Sequence, residues 1–443
     1  MNARLKIGFL TPGTGGWYCG ACMRDNALAK ALQAAGHEVA LLPMYLPLQL
    51  DEEAVNNPVA TPLFFGGINV FLQQKFALFR HTPCWFNHLL DHPRLLRRVA
   101  RHSQMTAASE HGAMTLAMLR VEDSRLGKEL DKLSNWLEEY QPDILCLSTA
   151  LQAGLIRELK RRLGVKVICC FQGEDGFLDG LPAPFRDACW QELALRVREA
   201  DALIAPSGFY ANLMTQRLGP AGLTISVLAN GINLTDYTPL PHHSGPPVIG
   251  FLARLCREKG LVIMVEAFIH LRTVLGQPTA RLHLAGAATA DNAPLIADLQ
   301  QRLAAAGLTD QVRWDANISR ADKIVMLGSL SMFSVPAIYP EAFGLYVIEA
   351  MAAGVPVVQP AAAAFPEIVA QAGVGVLVPP ADPVALATAW HELLQQPAQL
   401  AAMAIRSRRA AEDFYEVGVM RDRFLELARA VLAGTNDQPR QVI

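Results

Sequence analysis

The feature that most constrains the fold of this chain is a repeated alternation of short apolar runs with longer amphipathic stretches. The first apolar run, 5–10, is followed by a helix-like stretch, 24–35, that stops at Gly36. Strands that alternate with helices in this way favour parallel sheets covered by helices on both faces. We therefore predict an α/β chain. The later strand-like runs are 38–42, 143–147, 165–171, 202–205, 225–228, 248–253, 281–284, 312–314, 332–335 and 355–358.

A proline-rich segment divides the alternation into two halves. Residues 238–247 contain four prolines and one glycine, a density that neither a helix nor a central strand tolerates. We predict an N-terminal domain over 1–240, a C-terminal domain over 241–415, and a final helix and tail over 416–443 that cross back to the first domain.

One stretch of the first half lacks the alternation of strand-like and helix-like runs. Prolines and a glycine pair punctuate residues 45–125, and we interpret them as an elaboration of the first domain. Within them, the alternating run 68–72 predicts an extra hairpin strand.

Composition excludes several classes of protein. Hydrophobic residues make up 51% of the 443 residues, which is enough for a large core and argues against disorder. The formal net charge of -2 gives no general attraction to nucleic acid. The sequence shows no signal-peptide pattern, no apolar run of about eighteen residues, and eight scattered cysteines. We therefore expect a reduced, cytoplasmic chain without a nucleic-acid partner.

The strongest functional signal lies between Pro340 and Val358. Glu341 and Glu349 stand eight positions apart around Phe343, Gly344 and Leu345, and the segment follows a predicted strand and enters a helix. A glycine there permits close approach of another molecule, and the unpaired N–H groups of a helix start suit a phosphate. Isolated glutamates more often form local ion pairs; the spacing and the small residues that follow favour a binding role here.

This segment resembles the group 1 family of retaining GT-B glycosyltransferases. Three further segments match the family pattern. Arg254 and Lys259 are five positions apart before a helix, where two fixed cations would neutralise a departing diphosphate. Asn230 lies in a strand end before the linker, and Gly15-Gly16 follows the first strand.

The resemblance implies a GT-B architecture, in which two Rossmann-like domains face each other across a cleft. It implies that Glu349 binds ribose and that Arg254, Lys259 and Glu341 are catalytic, with Glu341 in contact with the donor sugar. The donor site would also contain Gly15, Gly16, Asn230, Phe343, Gly344 and Leu345. The donor substrate would be a UDP-, GDP- or ADP-sugar and the acceptor a hydroxyl of a glycan, a lipid-linked sugar or a small molecule, with no separate cofactor and no metal.

The sequence also departs from the family pattern. Where the family often carries a histidine after the strand at 165–171, this chain has Gln172, with Asp175 shortly after it. Where the family often carries a serine before the first glutamate, this chain has Pro336-Ala337. Gln172 would donate a hydrogen bond to a sugar and Asp175 would accept one.

Three alternatives remain open from the residues alone. An epimerase or a phosphorylase would have the same architecture. The Cys19-x-x-Cys22 pair before a helix would suit redox chemistry, although small cleft-edge residues are the simpler interpretation. The basic stretch 94–102, from Arg94 to His102, suits either a solvated helix face or peripheral contact with a membrane.

Overall fold

Two parallel six-stranded sheets organise the chain. A computed structural model describes residues 4–13, 20–50, 52–55, 62–76, 79, 108–123, 125–239 and 245–435. Every strand pair in both sheets is parallel, and helices connect successive strands. The α/β class predicted from the alternation is confirmed.

The first sheet has the strand order β2-β1-β3-β4-β5-β6. Its strands are β1 Lys6–Pro12, β2 Glu38–Met44, β3 Ile144–Leu147, β4 Lys166–Cys170, β5 Ala202–Ala205 and β6 Ser226–Val227. The second sheet has the order β12-β11-β10-β7-β8-β9. Its strands are β7 Val248–Leu252, β8 Arg281–Gly286, β9 Val312–Ala316, β10 Met332–Phe333, β11 Val357–Pro360 and β12 Gly375–Val378.

The α-helices of the described residues are numbered in chain order. They are α1 Gly20–Ala34, α2 Gly67–Lys75, α3 Ala108–Leu119, α4 Gly127–Tyr140, α5 Ile156–Leu163, α6 Glu174–Asp179, α7 Phe185–Arg196, α8 Gly208–Leu218, α9 Leu261–Thr273, α10 Ala293–Ala305, α11 Arg320–Gly328, α12 Leu345–Ala352, α13 Phe365–Ala372, α14 Pro383–Leu394, α15 Pro397–Tyr415 and α16 Val417–Ala433.

The burial of apolar side chains follows the periodicity of each strand and helix. In β1, Ile7, Phe9 and Leu10 are all fully buried, as expected for a central strand covered on both faces. In α4, Leu130, Leu133 and Leu137 are buried, and this spacing places them on one face of the helix. Burial of these faces supplies most of the free energy that stabilises such layers.

Contacts divide the chain into two units. One contains Met1–Ala229 together with Met420–Ile443, and the other is Asn230–Val419. Helix α16 therefore contributes most of its length to the first unit, where the ring of Phe424 packs 5.7 Å from that of Phe9. The last helix is thus part of the core around β1.

The second unit joins its own two ends. Ile232 and Glu416 form an isolated parallel bridge. The Ile232 N–H donates to the Tyr415 carbonyl at 2.9 Å, and the Val417 N–H donates to the Ile232 carbonyl at 3.0 Å. The places where the chain enters and leaves this unit are therefore hydrogen-bonded neighbours.

The predicted hairpin strand at 68–72 is wrong. These residues belong to α2, because the buried side chains Asn69, Val70 and Gln73 follow the period of a helix instead of the alternation of a strand. The Gln73 amide donates to the Glu129 carboxylate at 2.9 Å, which satisfies its donor inside the core.

Two of the predicted features, the basic stretch and the cysteine pair, extend beyond the described residues. The segment 94–102 and Cys19 lie outside the described residues, and the described cysteines form no disulfide. Within the described ranges, none of the helices combines the length and the apolar character that a bilayer crossing requires.

Gly286→Ala is expected to lower the free energy of unfolding by about 3 kcal/mol. Gly286 has φ +138°, and an added Cβ would lie 1.8 Å from the Ala253 carbonyl oxygen. Gly276→Ala is the matched control, because Gly276 has φ +68° with no atom within 4 Å of the added Cβ; about 1 kcal/mol is expected. Urea unfolding measures both, and equal losses would contradict the close approach.

Candidate functional site

The topology of the second sheet brings two loops together. From β7 the chain continues to β8 and β9 on one side of the sheet, and from β10 it continues to β11 and β12 on the other side. The carboxyl ends of the neighbouring strands β7 and β10 therefore form a switch point, where α/β folds bind ligands. Arg254 and Lys259 follow β7, whereas Glu341 follows β10. The Ile338 N–H donates to the Glu258 carbonyl at 3.0 Å and ties the two loops directly.

Lys259 and Glu341 form a buried ion pair between these loops. Their side chains are 11% and 7% exposed. The Tyr339 hydroxyl donates to Glu341 Oε2 at 2.9 Å, and the Tyr346 hydroxyl donates to Oε1 at 2.8 Å. We call these four residues the lysine–glutamate cluster. It compensates the cost of burying two charges with close hydrogen bonds.

The two tyrosines also face the cation. Lys259 Nζ lies 4.8 Å from the ring centroid of Tyr339 and 5.4 Å from that of Tyr346, within the range of a cation–π interaction. Burial, and then the Glu341 carboxylate, raises the pKa of Tyr346 well above its usual value. The Tyr346 hydroxyl therefore stays protonated and remains a donor to Glu341.

Two glycines set the positions of the helices that begin here. Gly260 precedes α9 with φ +77°, and an added Cβ would lie 1.8 Å from the Pro336 carbonyl oxygen. Gly344 precedes α12 with φ +95°, and its added Cβ would lie 3.1 Å from the Phe365 ring. Glycine adopts such backbone conformations at the lowest cost. Both helices start close to the lysine–glutamate cluster, because Gly260 directly follows Lys259 and Gly344 is three residues after Glu341.

Glu349 lies on α12, one turn beyond its start. Lys323 Nζ donates to Glu349 Oε1 at 2.6 Å, and the Tyr237 hydroxyl donates to the same oxygen at 3.2 Å. Within the described part of the chain, no hydrogen bond reaches Oε2. One carboxylate oxygen is therefore held in place while the other is available to a ligand.

The remaining predicted residues of this unit differ in their surroundings. Arg254 is exposed, and its guanidinium pairs with no described carboxylate. Phe343 is buried and packs 5.9 Å from the Tyr415 ring, whereas Leu345 is half-buried. Asn230 is 4% exposed, and its Oδ1 has no partner among the described residues.

The structure brings Lys259, Glu341 and the start of α12 together, with Glu349 on the same helix. Gly15 and Gly16 lie outside the described residues. Sequence reasoning missed the side chains that hold the two glutamates: Tyr237, Lys323, Tyr339 and Tyr346. Tyr339 directly precedes the motif and Tyr346 lies within it, so both were visible there, whereas Tyr237 and Lys323 reach Glu349 only through the fold.

The first unit has its own polar cluster at the carboxyl ends of β3 and β4. The Glu174 carboxylate accepts from the Thr149 hydroxyl at 2.8 Å, the Tyr210 hydroxyl at 3.2 Å and the Gln172 N–H at 2.8 Å. Tyr210 also donates to the buried Asp175 at 2.8 Å. Glu174 thus shapes the loop in which Gln172 stands half-buried.

Comparison with known proteins connects this geometry to a family. Residues 236–410 match the family model described as glycosyl transferases group 1. Residues 24–231 match the model described as a glycosyl transferase 4-like domain. The two matches together cover every strand of both sheets except β1.

Individual proteins are similar in part or in whole. A glycogen synthase of Mycobacterium tuberculosis is 30% identical over 216 residues, which are 48% of this chain and 50% of that protein. The chain thus spans about half the length of this relative.

Two solved structures are similar over nearly the whole chain. A sucrose-phosphate synthase from Thermosynechococcus elongatus has a TM-score of 0.70 at 19% identity and covers 98% of this chain and 100% of its own. The HepE protein of Anabaena, in complex with UDP and glucose, has a TM-score of 0.66 at 18% identity, with 96% and 99% covered. With the two parallel sheets, these likenesses confirm the predicted GT-B fold.

Lys259→Met is expected to lower the free energy of unfolding by about 3 kcal/mol, because it leaves Glu341 buried without its cation. The double variant Lys259→Met/Glu341→Gln removes both charges and is expected to recover part of that loss. Urea denaturation followed by circular dichroism measures both. A double variant that is no more stable than Lys259→Met alone would contradict the coupling of the pair.

Proposed function

The chain belongs to the group 1 glycosyltransferase family, and from that premise we propose that it transfers a sugar from a nucleoside-diphosphate sugar to an acceptor hydroxyl. The observation that carries the proposal is the lysine–glutamate cluster at the switch point of the second sheet, beside the start of α12. A cation, a helix N-terminus and two carboxylates suit the phosphates and hydroxyls of such a donor.

We assign the departing diphosphate to Arg254, Lys259 and the start of α12. Arg254 is exposed and forms no salt bridge with a described carboxylate, so its guanidinium donors are available to phosphate. Lys259 lies beside α12, because its Nζ contacts the ring of Tyr346 in the first turn of that helix. Positive groups that are fixed before the reaction stabilise the negative charge that develops on the leaving group.

We assign the ribose of the donor to Glu349. Lys323 and Tyr237 both bind Oε1 and thereby fix the orientation of the carboxylate. Oε2 is then positioned to accept hydrogen bonds from ribose hydroxyls, and an ionised acceptor makes such bonds stronger.

We assign the donor sugar to Glu341. A carboxylate has about four lone-pair sites, and three donors already occupy this one: Lys259, Tyr339 and Tyr346. The remaining site, on Oε2, accepts one sugar hydroxyl. The ion pair thus holds Glu341 in the position from which it makes one hydrogen bond to the donor sugar.

We propose retention of the anomeric configuration, by departure of the leaving group and attack on the same face, with no residue acting as a covalent nucleophile. The donor is a substrate, and the proposal assigns no separate cofactor. Acceptor binding falls to the first unit, where Gln172 would donate to a sugar. The Asp175 oxygen that accepts from Tyr210 is already engaged, so Gln172 is the better candidate.

Glu349→Gln is expected to weaken binding of the preferred nucleoside diphosphate about tenfold or more, since a hydrogen bond to a charged group contributes about 1.5–3 kcal/mol. Calorimetric titration with UDP, GDP and ADP identifies the base and measures the loss. Glu392→Gln is the matched control, because Glu392 is exposed on α14 of the same unit. Unchanged affinity in Glu349→Gln for every diphosphate would remove the assignment.

Arg254→Gln is expected to lower kcat/KM about 100-fold, the scale on which one fixed donor to a developing charge contributes, while leaving stability unchanged. Arg257→Gln is the control, because Arg257 is an exposed arginine in the same loop. Release of the diphosphate measures the rate, and the anomeric proton of the product, followed by NMR, reports its configuration. Equal rates in the two variants, or an inverted product, would contradict this part of the proposal.

A further inference from the structure

A concave site lies in the first unit, and none of its lining residues is assigned to the donor. Its volume is about 630 Å³, and its lining contains three arginines. The lining residues are Arg4, Ala35, Gly36, His37, Arg421, Asp422, Leu425 and Arg429. We propose that this cavity binds the phosphoryl group of a phosphorylated ligand.

The chain brings this cavity to the amino-terminal edge of the first sheet. Arg4 stands before β1, and Gly36 and His37 connect α1 to β2. Arg421, Leu425 and Arg429 are four residues apart along α16, so they share one face of that helix. The ligand sites of parallel α/β sheets lie at the carboxyl edge, whereas this cavity lies at the amino-terminal edge of its sheet.

Positive charge exceeds negative charge in the lining. Three arginines face one carboxylate, Asp422, which accepts from Arg421 Nε at 2.8 Å. Arg4 reaches Glu38 only at 3.4 Å, with 69% of its side chain exposed. Arg429 is half-buried and forms no hydrogen bond or ion pair with a described residue. An anion would relieve the repulsion between these cations.

His37 adds a directed donor. Its Nδ1 accepts from the Leu5 N–H at 3.0 Å, so the neutral ring carries its proton on Nε2. Burial, and then the charges of Arg429 and Arg421, lowers the pKa of His37. The ring is therefore neutral at pH 7, and its other nitrogen offers an N–H to an anion in the cavity.

The chemistry favours a phosphoryl group over a simple halide. Guanidinium groups present paired N–H donors that match phosphate oxygens, and the volume is that of a small-molecule site. The phosphoryl group belongs to a free phosphorylated small molecule or to the headgroup of a lipid. The inference does not depend on the proposed function, because none of the lining residues is assigned to the donor or to the acceptor.

The test is calorimetric titration of the full chain with pyrophosphate. We expect Arg429→Gln to weaken binding about tenfold, whereas Arg423→Gln leaves it unchanged, because Arg423 lies on the same helix outside the lining. Arg254→Gln serves as a second control for the diphosphate site of the other unit. No binding by the unsubstituted chain, equal binding in Arg429→Gln and Arg423→Gln, or loss in Arg254→Gln alone would overturn the proposal.

A second arm identifies the source of the phosphoryl group. The chain is sedimented with phosphatidylcholine vesicles that contain or lack phosphatidic acid. Retention that requires phosphatidic acid and is lost in Arg429→Gln assigns the cavity to a lipid headgroup. Pyrophosphate binding without such retention assigns it to a free phosphorylated molecule.

Discussion

The buried pair of Lys259 and Glu341 is the constraint on which the proposed donor site depends. It joins the loop after β7 to the loop after β10, the two strands between which the chain reverses its direction of travel across the sheet. Burying an ion pair costs desolvation energy, and an apolar pair of the same size is often at least as stable. The pair is therefore better explained by the position it gives to a carboxylate and a cation than by stability.

Backbone conformation complements that pair. Gly260 and Gly344 both have positive φ and both precede a helix that starts beside the cluster. Their close approaches, to the Pro336 carbonyl and to the Phe365 ring, leave little room for a side chain. The sheet brings the loops together, the glycines let the helices begin there, and the side chains then complete a polar surface.

Much of this organisation could be predicted from local patterns. The run 202–205 coincides with β5, and the spacing of Glu341 and Glu349 pointed to a helix start between them. The strand at 68–72 failed because a short alternating run also fits a helix face that buries Asn69 and Gln73. Lys323 had no local signal, since it reaches Glu349 from α11, a helix that only the tertiary fold brings near.

Helix α16 has a consequence for how the protein is made. Phe424 packs on Phe9 of β1, so the core around the first strand includes residues that leave the ribosome after the whole of the second unit. During translation the second unit, Asn230–Val419, is complete before the first has all its apolar partners. Part of the hydrophobic face of the N-terminal sheet therefore stays uncovered until α16 has followed the second unit out of the ribosome, and in that interval it is exposed to aggregation and to chaperones.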